Sequence, residues 1–440
     1  KDMETKEQIV SNLNKMQQDL KNKTIDGGNY DWDEVPNPMM KYVRKDMIEH
    51  LNSQMPDRKK LTMDVLKQYI VSYADQAKLS EVEKCYFIYY WIGHNIDYDL
   101  ESFLSGKDTD CSPDSVLKTG KSVCAGYSSL FKTLVEWLGI ECYSIPCFAK
   151  GLGFQVGESA HGKENNHEHN AVKLFGGWSL IDSTWGAGSI IKNKFVKKFN
   201  DFYFCTDPKE FIFTHFPSDP GWQLLAQPVT KDQFSIFPLV GKAFFQLGFL
   251  SMNPFACAVN TEQMLEVTFD FIPQLKKRLS MSAFLSLEHK NLPDTCLVQK
   301  YDNQFKIRII LNEKGTYAVH FMASLTEKGQ MSMITRMKIT CNKSQTKKLA
   351  FPEMPQNYGS LIMESPLFND IKAGDDVYFK FLSDEAEEVD VVFDDEWIPI
   401  KKNENGCFEK WLKAKGKKIT ICEKKGDKTF PRYTFTVKKK

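Results

Sequence analysis

The stretch HEHNAVKLFGGWSLIDSTWG, residues 167–186, decides the fold of the N-terminal half of the chain. Two short apolar runs flank the Phe-Gly-Gly at 175–177, and this pattern predicts a β-hairpin. With the turn centred there, position 169 faces position 182 on the partner strand. Facing residues of an antiparallel pair point to the same side, so His167, His169 and Asp182 are expected on one face, with His167 roughly 7 Å diagonally from the aspartate. Strand parity therefore predicts a histidine–aspartate pair but leaves the choice between the two histidines open.

Upstream of the hairpin, an amphipathic helix is predicted to start directly after a cysteine. Apolar side chains recur at spacings of three and four over 125–138, and Gly139 is typical of a helix end. Cys124 is thus expected at the helix N-terminus, where unpaired N–H groups and the positive end of the dipole favour a thiolate. Ala125 and Gly126 are small and leave room for a substrate carbonyl beside backbone N–H groups that could face an oxyanion. Of the 11 cysteines, Cys124 is therefore the candidate nucleophile.

A thiol nucleophile needs a base within reach and a third group that holds the base. The hairpin supplies both, because a histidine lies 43 residues after Cys124 and Asp182 lies 15 residues further on. We therefore expect a cysteine–histidine–aspartate triad. The main chemical alternative is a zinc site built from His167, His169 and a third ligand, but a fourth ligand is not evident. No metal and no other cofactor is predicted.

The pattern of apolar residues changes near residue 224, from helical spacing to short alternating runs. Regular short strands separated by turn signals are typical of β-sandwiches. We predict an α+β chain in which a papain- or transglutaminase-like core, with helices packed on an antiparallel sheet, precedes two β-sandwich modules. The predicted boundaries are a helical N-terminal arm at 1–60, the core at 61–225, and the modules at 226–345 and 346–440. In the modules, strands are expected at 265–272, 281–287, 304–311, 316–323, 332–340, 375–382, 389–394, 405–412, 417–422 and 430–437.

Composition argues against several classes of function. The formal net charge is +1, which gives no general attraction to nucleic acid. An apolar run of roughly 18 residues, enough to span a membrane, does not occur. The 11 cysteines include no C-x-x-C pair, which favours reduced thiols and a cytoplasmic location over a disulfide framework. Because the chain begins at Lys1, we expect that it was trimmed and that a removed signal peptide would leave no trace.

The nucleophile and hairpin segments together resemble the motifs of a known family. GKSVCAGYSSLF at 120–131 resembles the nucleophile motif of the transglutaminase-like superfamily, and 167–186 resembles its histidine and aspartate motifs. This resemblance implies a papain-like thiol mechanism, with His167 as the base and Asp182 as its partner. His169 stands where the family usually has tryptophan.

Several further side chains are expected around the triad. Trp178 and Trp185 flank the aspartate in sequence and are expected to shield the histidine–aspartate pair from water. Tyr98 is expected to line the cleft. His215 and Trp222 are expected to pack the junction between the core and the first β module.

FYFCTDPKEFIFTHFP at 202–217 and GWQLL at 221–225 are similar to the kyphoscoliosis peptidase branch of that superfamily, in which β modules follow the core. The resemblance implies a cysteine peptidase or amide hydrolase that forms a thioester acyl-enzyme with a protein or peptide substrate. It also implies cytoskeletal partners for the β modules, because the branch includes cytoskeleton-associated members. The alternatives are a protein-glutamine transglutaminase, which transfers the acyl group to an amine, and a scaffold that does not use the triad.

Overall fold

A computed structural model describes residues 35–325, 330–354 and 360–439. The chain divides into two compact units, Val35–Phe237 and a second that includes Pro238–Lys440. Residues 1–34, the first half of the expected N-terminal arm, lie outside the described residues. Across the described ranges, we find no helix whose length and hydropathy would let it cross a membrane.

Helices form one side of the first unit, and their ends follow local sequence signals. The Ser80 hydroxyl accepts from the N–H of Glu83, whose carboxylate accepts from the N–H of Ser80, so a capping box starts the third helix. The helices are α1 (Lys45–Ser53), α2 (Met63–Gln76), α3 (Glu81–Asn95), α4 (Leu100–Ser105), α5 (Pro113–Thr119), α6 (Cys124–Glu136), α7 (Ser183–Ala187), α8 (Pro208–Phe211) and α9 (Lys231–Ile236).

The strands of this unit form one main sheet and two small pairings. The main antiparallel sheet has the order β5-β4-β3-β8, while β1 pairs with β2 and β6 pairs with β7. The strands are β1 (Asp97–Tyr98), β2 (Lys121–Ser122), β3 (Cys142–Ala149), β4 (His167–Leu174), β5 (Gly177–Ile181), β6 (Gly188–Ile191), β7 (Lys194–Lys197) and β8 (His215–Pro217).

The predicted hairpin is confirmed as β4 and β5. Asn170 pairs with Ile181 and Leu174 pairs with Gly177, which is the register expected from a turn at 175–177. Helix α6 packs its apolar face on β3 and β4. The core between helices and sheet includes the buried residues Trp91, Tyr127, Leu130, Phe131, Leu134, Val172 and Ile181.

The first unit begins earlier in the chain than the predicted core boundary at residue 61. Ile48 on α1 is fully buried in the core of this unit. The Arg44 guanidinium, just before α1, donates to both carboxylate oxygens of Glu83 at 2.6 and 2.8 Å. Residues 35–60 therefore belong to the first unit and not to a separate arm.

The first unit also ends later than the predicted boundary at residue 225. The Lys150 side chain, 4% exposed, donates from Nζ to the carbonyl oxygens of Phe234 and Phe237 at 2.6 and 3.2 Å. The rings of both phenylalanines are fully buried. These contacts make α9 part of the first unit.

The second unit begins with α10 (Lys242–Gln246) and a β-sandwich of two sheets. One sheet has the order β10-β17-β16-β12-β13, and the other has the order β14-β15-β11-β9. The strands are β9 (Phe249–Asn253), β10 (Ala258–Thr261), β11 (Met264–Phe271), β12 (Ser280–Leu287), β13 (Lys290–Leu292), β14 (Cys296–Lys300), β15 (Gln304–Ile310), β16 (Gly315–Ser324) and β17 (Ser332–Cys341).

A second sandwich follows within the same unit. Its sheets have the orders β18-β20-β23 and β19-β25-β24-β21-β22, and Phe379, Phe381, Val391 and Phe435 are buried between them. The strands are β18 (Ile362–Ser365), β19 (Ile371–Lys372), β20 (Asp376–Leu382), β21 (Glu388–Phe393), β22 (Glu396–Lys401), β23 (Cys407–Lys413), β24 (Lys418–Lys425) and β25 (Lys428–Lys438).

Candidate active site

Cys124 is the first residue of α6, and no side chain caps the helix at that end. The preceding residue, Val123, has extended backbone angles of φ −85° and ψ 177°, but its side chain cannot accept a hydrogen bond. The N–H of Gly126 donates to the Val123 carbonyl at 3.0 Å, but no side chain caps the first turn, and the positive end of the helix dipole lies beside the sulfur. Cys124 and Ala125 are both partly exposed, so a ligand can reach the thiol.

The start of β4 and the N-cap of α7 bring a histidine and a carboxylate together. His167 Nε2 lies 2.7 Å from Asp182 Oδ2, and the two side chains are 7% and 0% exposed. Asp182 caps α7, because its Oδ1 accepts from the backbone N–H of Trp185 at 2.9 Å. A carboxylate only accepts hydrogen bonds, so the Nε2 of His167 carries a hydrogen and Nδ1 is the ring nitrogen left for the thiol proton.

Both charges of this pair are favoured in the folded protein. Burial opposes the imidazolium, but the charge and hydrogen bond of Asp182, together with a hydrogen bond to Cys124, raise the pKa of His167 to about 10. Burial also opposes the carboxylate, but His167 and His215 hold the pKa of Asp182 well below its ordinary value. An imidazolium beside a cysteine favours the thiolate, which is the nucleophilic form.

A buried amide fixes α6 against the hairpin. Asn170 Nδ2 donates to the carbonyl and hydroxyl oxygens of Ser128, both at 3.1 Å, and both residues are buried. Ser128 lies about one turn after Cys124, and Asn170 lies three residues after His167. The link therefore fixes the helix of the nucleophile relative to the strand of the base. We expected no role for Asn170 from the sequence; its position directly after the His-x-His of β4 is the signal that could have indicated one.

His215 is a second imidazole on the same carboxylate. Its Nε2 lies 3.0 Å from Asp182 Oδ2, its Nδ1 lies 2.9 Å from Thr214 Oγ1, and its side chain is fully buried. The ring stacks on Phe211 with centroids 4.0 Å apart. The sequence placed His215 at a junction with the β module, but β8 pairs with β3 and brings it to Asp182 instead.

The two tryptophans expected to shield the pair have different settings. Trp185 lies over both histidines, with ring centroids 5.6 Å from His167 and 4.5 Å from His215. Trp178 instead packs on Trp222 and Tyr143, with centroids 5.1 and 5.5 Å away. Trp178 lies four positions before Asp182, about 13 Å along an extended chain, and this distance explains the difference.

Tyr98 lies close to the nucleophile in the fold. It pairs with Ser122 in the short β1–β2 pairing, two residues before Cys124. Burial, and next the electrostatic effect of Cys124, raise the pKa of Tyr98. Its phenol therefore stays neutral near neutral pH, and its place along the cleft stays a prediction.

His169 does not join the histidine–aspartate pair. It is 2% exposed, and within the described part of the chain neither ring nitrogen has a hydrogen-bond partner. Its nearest described rings are those of Phe211 and His215, at 4.9 and 5.6 Å. Burial, as the largest cause, holds the pKa of His169 well below its ordinary value, so the ring is neutral.

A metal ion is the other group that these side chains could hold. The ligand atoms of His167, Asp182 and His215 lie within 4.8 Å of one another. Both histidine Nε2 atoms already donate to Asp182 Oδ2, at 2.7 and 3.0 Å, so the atoms that a metal would need are used in hydrogen bonds. The zinc alternative also required His169, which is not one of the three.

Several of the other cysteines have settings that disfavour a thiolate. All 11 cysteines lie in the described ranges, and none of them forms a disulfide. Burial raises the pKa of Cys142 to about 12 and that of Cys147 well above its ordinary value. Cys111 is partly exposed, but burial raises its pKa as well. Cys124 combines partial exposure with an effect on His167, whose pKa it helps to raise.

Two known sequence families match this chain. The profile of the Transglutaminase-like superfamily matches residues 67–183, the segment that contains Cys124, His167 and Asp182. Residues 67–183 form a transglutaminase-like domain. The profile described as "KY-like, immunoglobulin-like domain" matches residues 231–352, which include the first β-sandwich of the second unit. The expected fold, a transglutaminase-like domain followed by immunoglobulin-like β-sandwiches, is confirmed.

Relatives match the transglutaminase-like part of the chain. The Mus musculus protein named Kyphoscoliosis peptidase is 38% identical over 194 residues, which cover 44% of this chain and 29% of that protein. The Drosophila melanogaster protein Hillarin is 30% identical over 187 residues, which cover 38% of this chain and 22% of that protein. The chain thus aligns with less than a third of the length of either relative. These similarities confirm the resemblance to the kyphoscoliosis peptidase branch.

Solved structures align more weakly. The N-terminal Ig1-2 module of a Drosophila receptor protein tyrosine phosphatase covers 42% of this chain and 93% of that chain at 10% identity. Its TM-score is 0.14, which is too low to support any argument.

Proposed function

We propose that this protein is a cysteine peptidase or amide hydrolase that works through a thioester acyl-enzyme. Cys124 is the nucleophile, His167 is the general base and acid, and Asp182 holds the imidazole. The observation that carries the proposal is the hydrogen bond from His167 Nε2 to Asp182 Oδ2 at 2.7 Å, which leaves Nδ1 to serve Cys124. The mouse relative named Kyphoscoliosis peptidase supports the same class of reaction.

The acylation step follows from the arrangement of these groups. The Cys124 thiol first gives its proton to His167 Nδ1, which forms the thiolate–imidazolium pair, and the thiolate sulfur then attacks a substrate amide carbon. The first-turn N–H groups of α6, left uncapped by Val123, stabilise the oxyanion. The imidazolium then gives its proton to the leaving nitrogen as the C–N bond breaks, and a thioester remains on Cys124.

The second step decides between hydrolase and transglutaminase. In the hydrolase, water attacks the thioester, His167 takes a proton from the water, and Cys124 leaves as a thiolate. In a transglutaminase, an amine takes the place of the water. We propose a protein or peptide substrate for either outcome, and cytoskeletal proteins as partners of the β-sandwich modules in the cytoplasm.

Alkylation of the thiol tests the nucleophile without a known substrate. We expect iodoacetamide to label Cys124 at least about tenfold faster than a typical free cysteine near pH 7, because the thiolate is the reactive form. Peptide mass mapping measures the rate at each cysteine. Cys124→Ala should remove the fast phase, and Cys111→Ala, which changes another partly exposed cysteine in the same unit, should retain it. Equal rates at Cys124 and Cys111 in the wild type would contradict the proposal.

The reaction products distinguish hydrolysis of the thioester from transfer of the acyl group to an amine. Incubation with a mixed peptide library and a labelled primary amine should give new peptide N-termini that depend on Cys124. Incorporation of the amine into glutamine residues, without new N-termini, would support a transglutaminase instead.

A further inference from the structure

Asp182 receives more hydrogen bonds than the orientation of His167 alone requires. Its side chain is fully buried, and a buried charge without partners is strongly destabilising. Oδ1 accepts from the N–H of Trp185, and Oδ2 accepts from the imidazoles of His167 and His215 at 2.7 and 3.0 Å. The two imidazoles come from different strands, β4 and β8. Together they prevent rotation of the carboxylate.

The hydrogen-bond chain also determines the tautomer of His215. The carboxylate only accepts, so Nε2 of His215 carries a hydrogen. Burial, against the opposing effect of Asp182, lowers the pKa of His215, so its ring is neutral and Nδ1 has a free lone pair. Nδ1 therefore accepts from the Thr214 hydroxyl at 2.9 Å. Thr214 thus stabilises the tautomer that donates to Asp182.

The ring of His215 has little freedom to move. Phe211 stacks on it with an interplanar angle of 13°, and Trp185 covers it at 4.5 Å between centroids. A neutral imidazole this constrained serves as a fixed donor. Neither nitrogen of the ring is left to exchange protons with a substrate, because Asp182 and Thr214 use both.

Other titratable side chains face the Asp182–His215 pair without adding charge near neutral pH. Burial, as the largest cause, lowers the pKa of His169 and raises those of Cys147 and of three nearby tyrosines. A fourth tyrosine, Tyr203, lies 6.3 Å from His215 between ring centroids. The acid–base behaviour of the site therefore depends on Cys124, His167 and Asp182. The three nearby tyrosines are Tyr89 on α3, Tyr98 on β1 and Tyr127 on α6.

We propose that His215 is a positioning residue that acts through Asp182 in the reaction proposed above. Its Nε2–H holds the carboxylate toward His167 and keeps it ionised. Without this donor the carboxylate rotates more freely and takes up a proton more easily. His167 then loses its fixed partner, and the thiolate–imidazolium pair forms less readily.

The pH dependence of Cys124 alkylation tests this role in the full chain. His215→Phe retains a ring that can stack on Phe211 but removes the donor, whereas His215→Gln retains a donor. For His215→Phe we expect the midpoint of the acid limb of the rate profile to move to higher pH by about one unit, because a hydrogen bond to a charged group is lost. The plateau rate should fall as well. His215→Gln should restore most of both, and thermal unfolding would verify that each variant is folded.

The outcomes separate this role from the proposed function. A wild-type Cys124 that reacts no faster than Cys111 overturns the proposed function. A fast wild-type Cys124 with an unchanged profile in folded His215→Phe overturns only the role of His215. Equal shifts in folded His215→Gln and His215→Phe would also overturn it, since a donor would then make no difference.

A second pair of variants applies if His215→Phe does not fold. Thr214→Val removes the hydroxyl that selects the tautomer of His215, and Thr214→Ser retains one. We expect the midpoint of the acid limb to move to higher pH in Thr214→Val, by less than in His215→Phe. In Thr214→Ser it should stay at the wild-type pH. Identical profiles for a folded Thr214→Val and the wild type would contradict the proposal.

Discussion

At the scale of single residues, two histidines on one face of β4 differ in whether they have a polar partner. The β4–β5 pairing ends at Asn170 and Ile181, and the next residue, Asp182, turns away to cap α7. The carboxylate therefore meets His167, while His169 lies buried beside Phe211 without a polar partner. Strand parity predicted the face correctly, but it could not choose the ring because the regular register stops before Asp182.

We expect His169→Phe to stabilise the protein. A buried polar group without a hydrogen bond costs about 1 kcal/mol or more, and phenylalanine removes that cost. The depressed pKa of His169 adds a pH dependence, since the unfolded chain binds a proton below about pH 6.5 and the folded chain does not. The wild type therefore loses stability as the pH falls through that value, and the gain from the substitution should be larger at pH 5 than at pH 8.

Denaturant unfolding at the two pH values measures this difference. His50→Phe changes an exposed histidine on α1 and serves as the control, for which we expect no such difference between pH 5 and pH 8. A gain in His169→Phe that is the same at both pH values would contradict a neutral buried ring.

The contact of His215 with Asp182 could not be predicted from the sequence pattern. Cys124 was identified from the periodicity of its own helix, and His167 with Asp182 from one hairpin, so each inference used contacts that are local along the chain. His215 lies 33 residues after Asp182 and reaches it through the pairing of β8 with β3. Such a contact depends on the tertiary arrangement, which a local pattern does not contain.

At the scale of elements, α6 lacks the capping side chain that most helices use. Val123 has the extended backbone of an N-cap residue but an apolar side chain. The same position in α3 and in α7 is held by Ser80 and Asp182, which both accept from backbone N–H groups. Helix α6 therefore lacks the stabilisation of a side-chain cap at the end where Cys124 lies.

We expect Val123→Thr to stabilise the protein and to slow the alkylation of Cys124. Threonine has nearly the shape of valine and can accept from a first-turn N–H group, which should raise the free energy of unfolding by about 1 kcal/mol. The same hydrogen bond takes a donor away from the sulfur, so alkylation of Cys124 should slow by about threefold. Val123→Ala adds no acceptor and is the control. An alkylation rate in Val123→Thr at or above that of the wild type would argue against the uncapped N-terminus as an activating feature.

In the β-sandwiches, the strands that the sequence pattern did not predict share one position in their sheets. The ten strands predicted from alternation all occur, each with ends within three residues of those expected. The strands that the pattern did not predict, β9, β10, β13, β14, β18, β19 and β22, all lie at sheet edges. An edge strand has a neighbour on one side only and is often short, so its sequence is under weaker constraint to alternate.

At the scale of the whole molecule, the sequence predicted the order of the domains, while the ends of the first unit differ from the expected boundaries. Helices α1 and α9 are short and largely polar, so nothing in their composition marks them as part of a core. Each belongs to the first unit through a few buried contacts with residues far away in sequence, Ile48 among the core residues and Phe234 against Lys150.

We expect a fragment of residues 35–237 to be much more stable than one of residues 35–225. The shorter fragment lacks Phe234 and Phe237, two fully buried rings, and leaves the Lys150 ammonium without its carbonyl partners. The loss of the rings alone should lower the free energy of unfolding by about 4 kcal/mol. Thermal unfolding and alkylation of Cys124 measure both fragments, and equal melting temperatures would contradict the assignment of α9 to the first unit.

The hydrogen bonds of Asp182 do not involve Cys124, and this has a consequence for how such a protein can evolve. Asp182 keeps its three donors whether or not a sulfur is present, and Cys124 is partly exposed, so a lineage could replace the cysteine with little harm to folding. Replacement of Asp182 would instead leave two buried imidazoles without their acceptor. Relatives that lack a cysteine at this position should therefore retain the aspartate and both histidines, and a family alignment would reveal that order of loss.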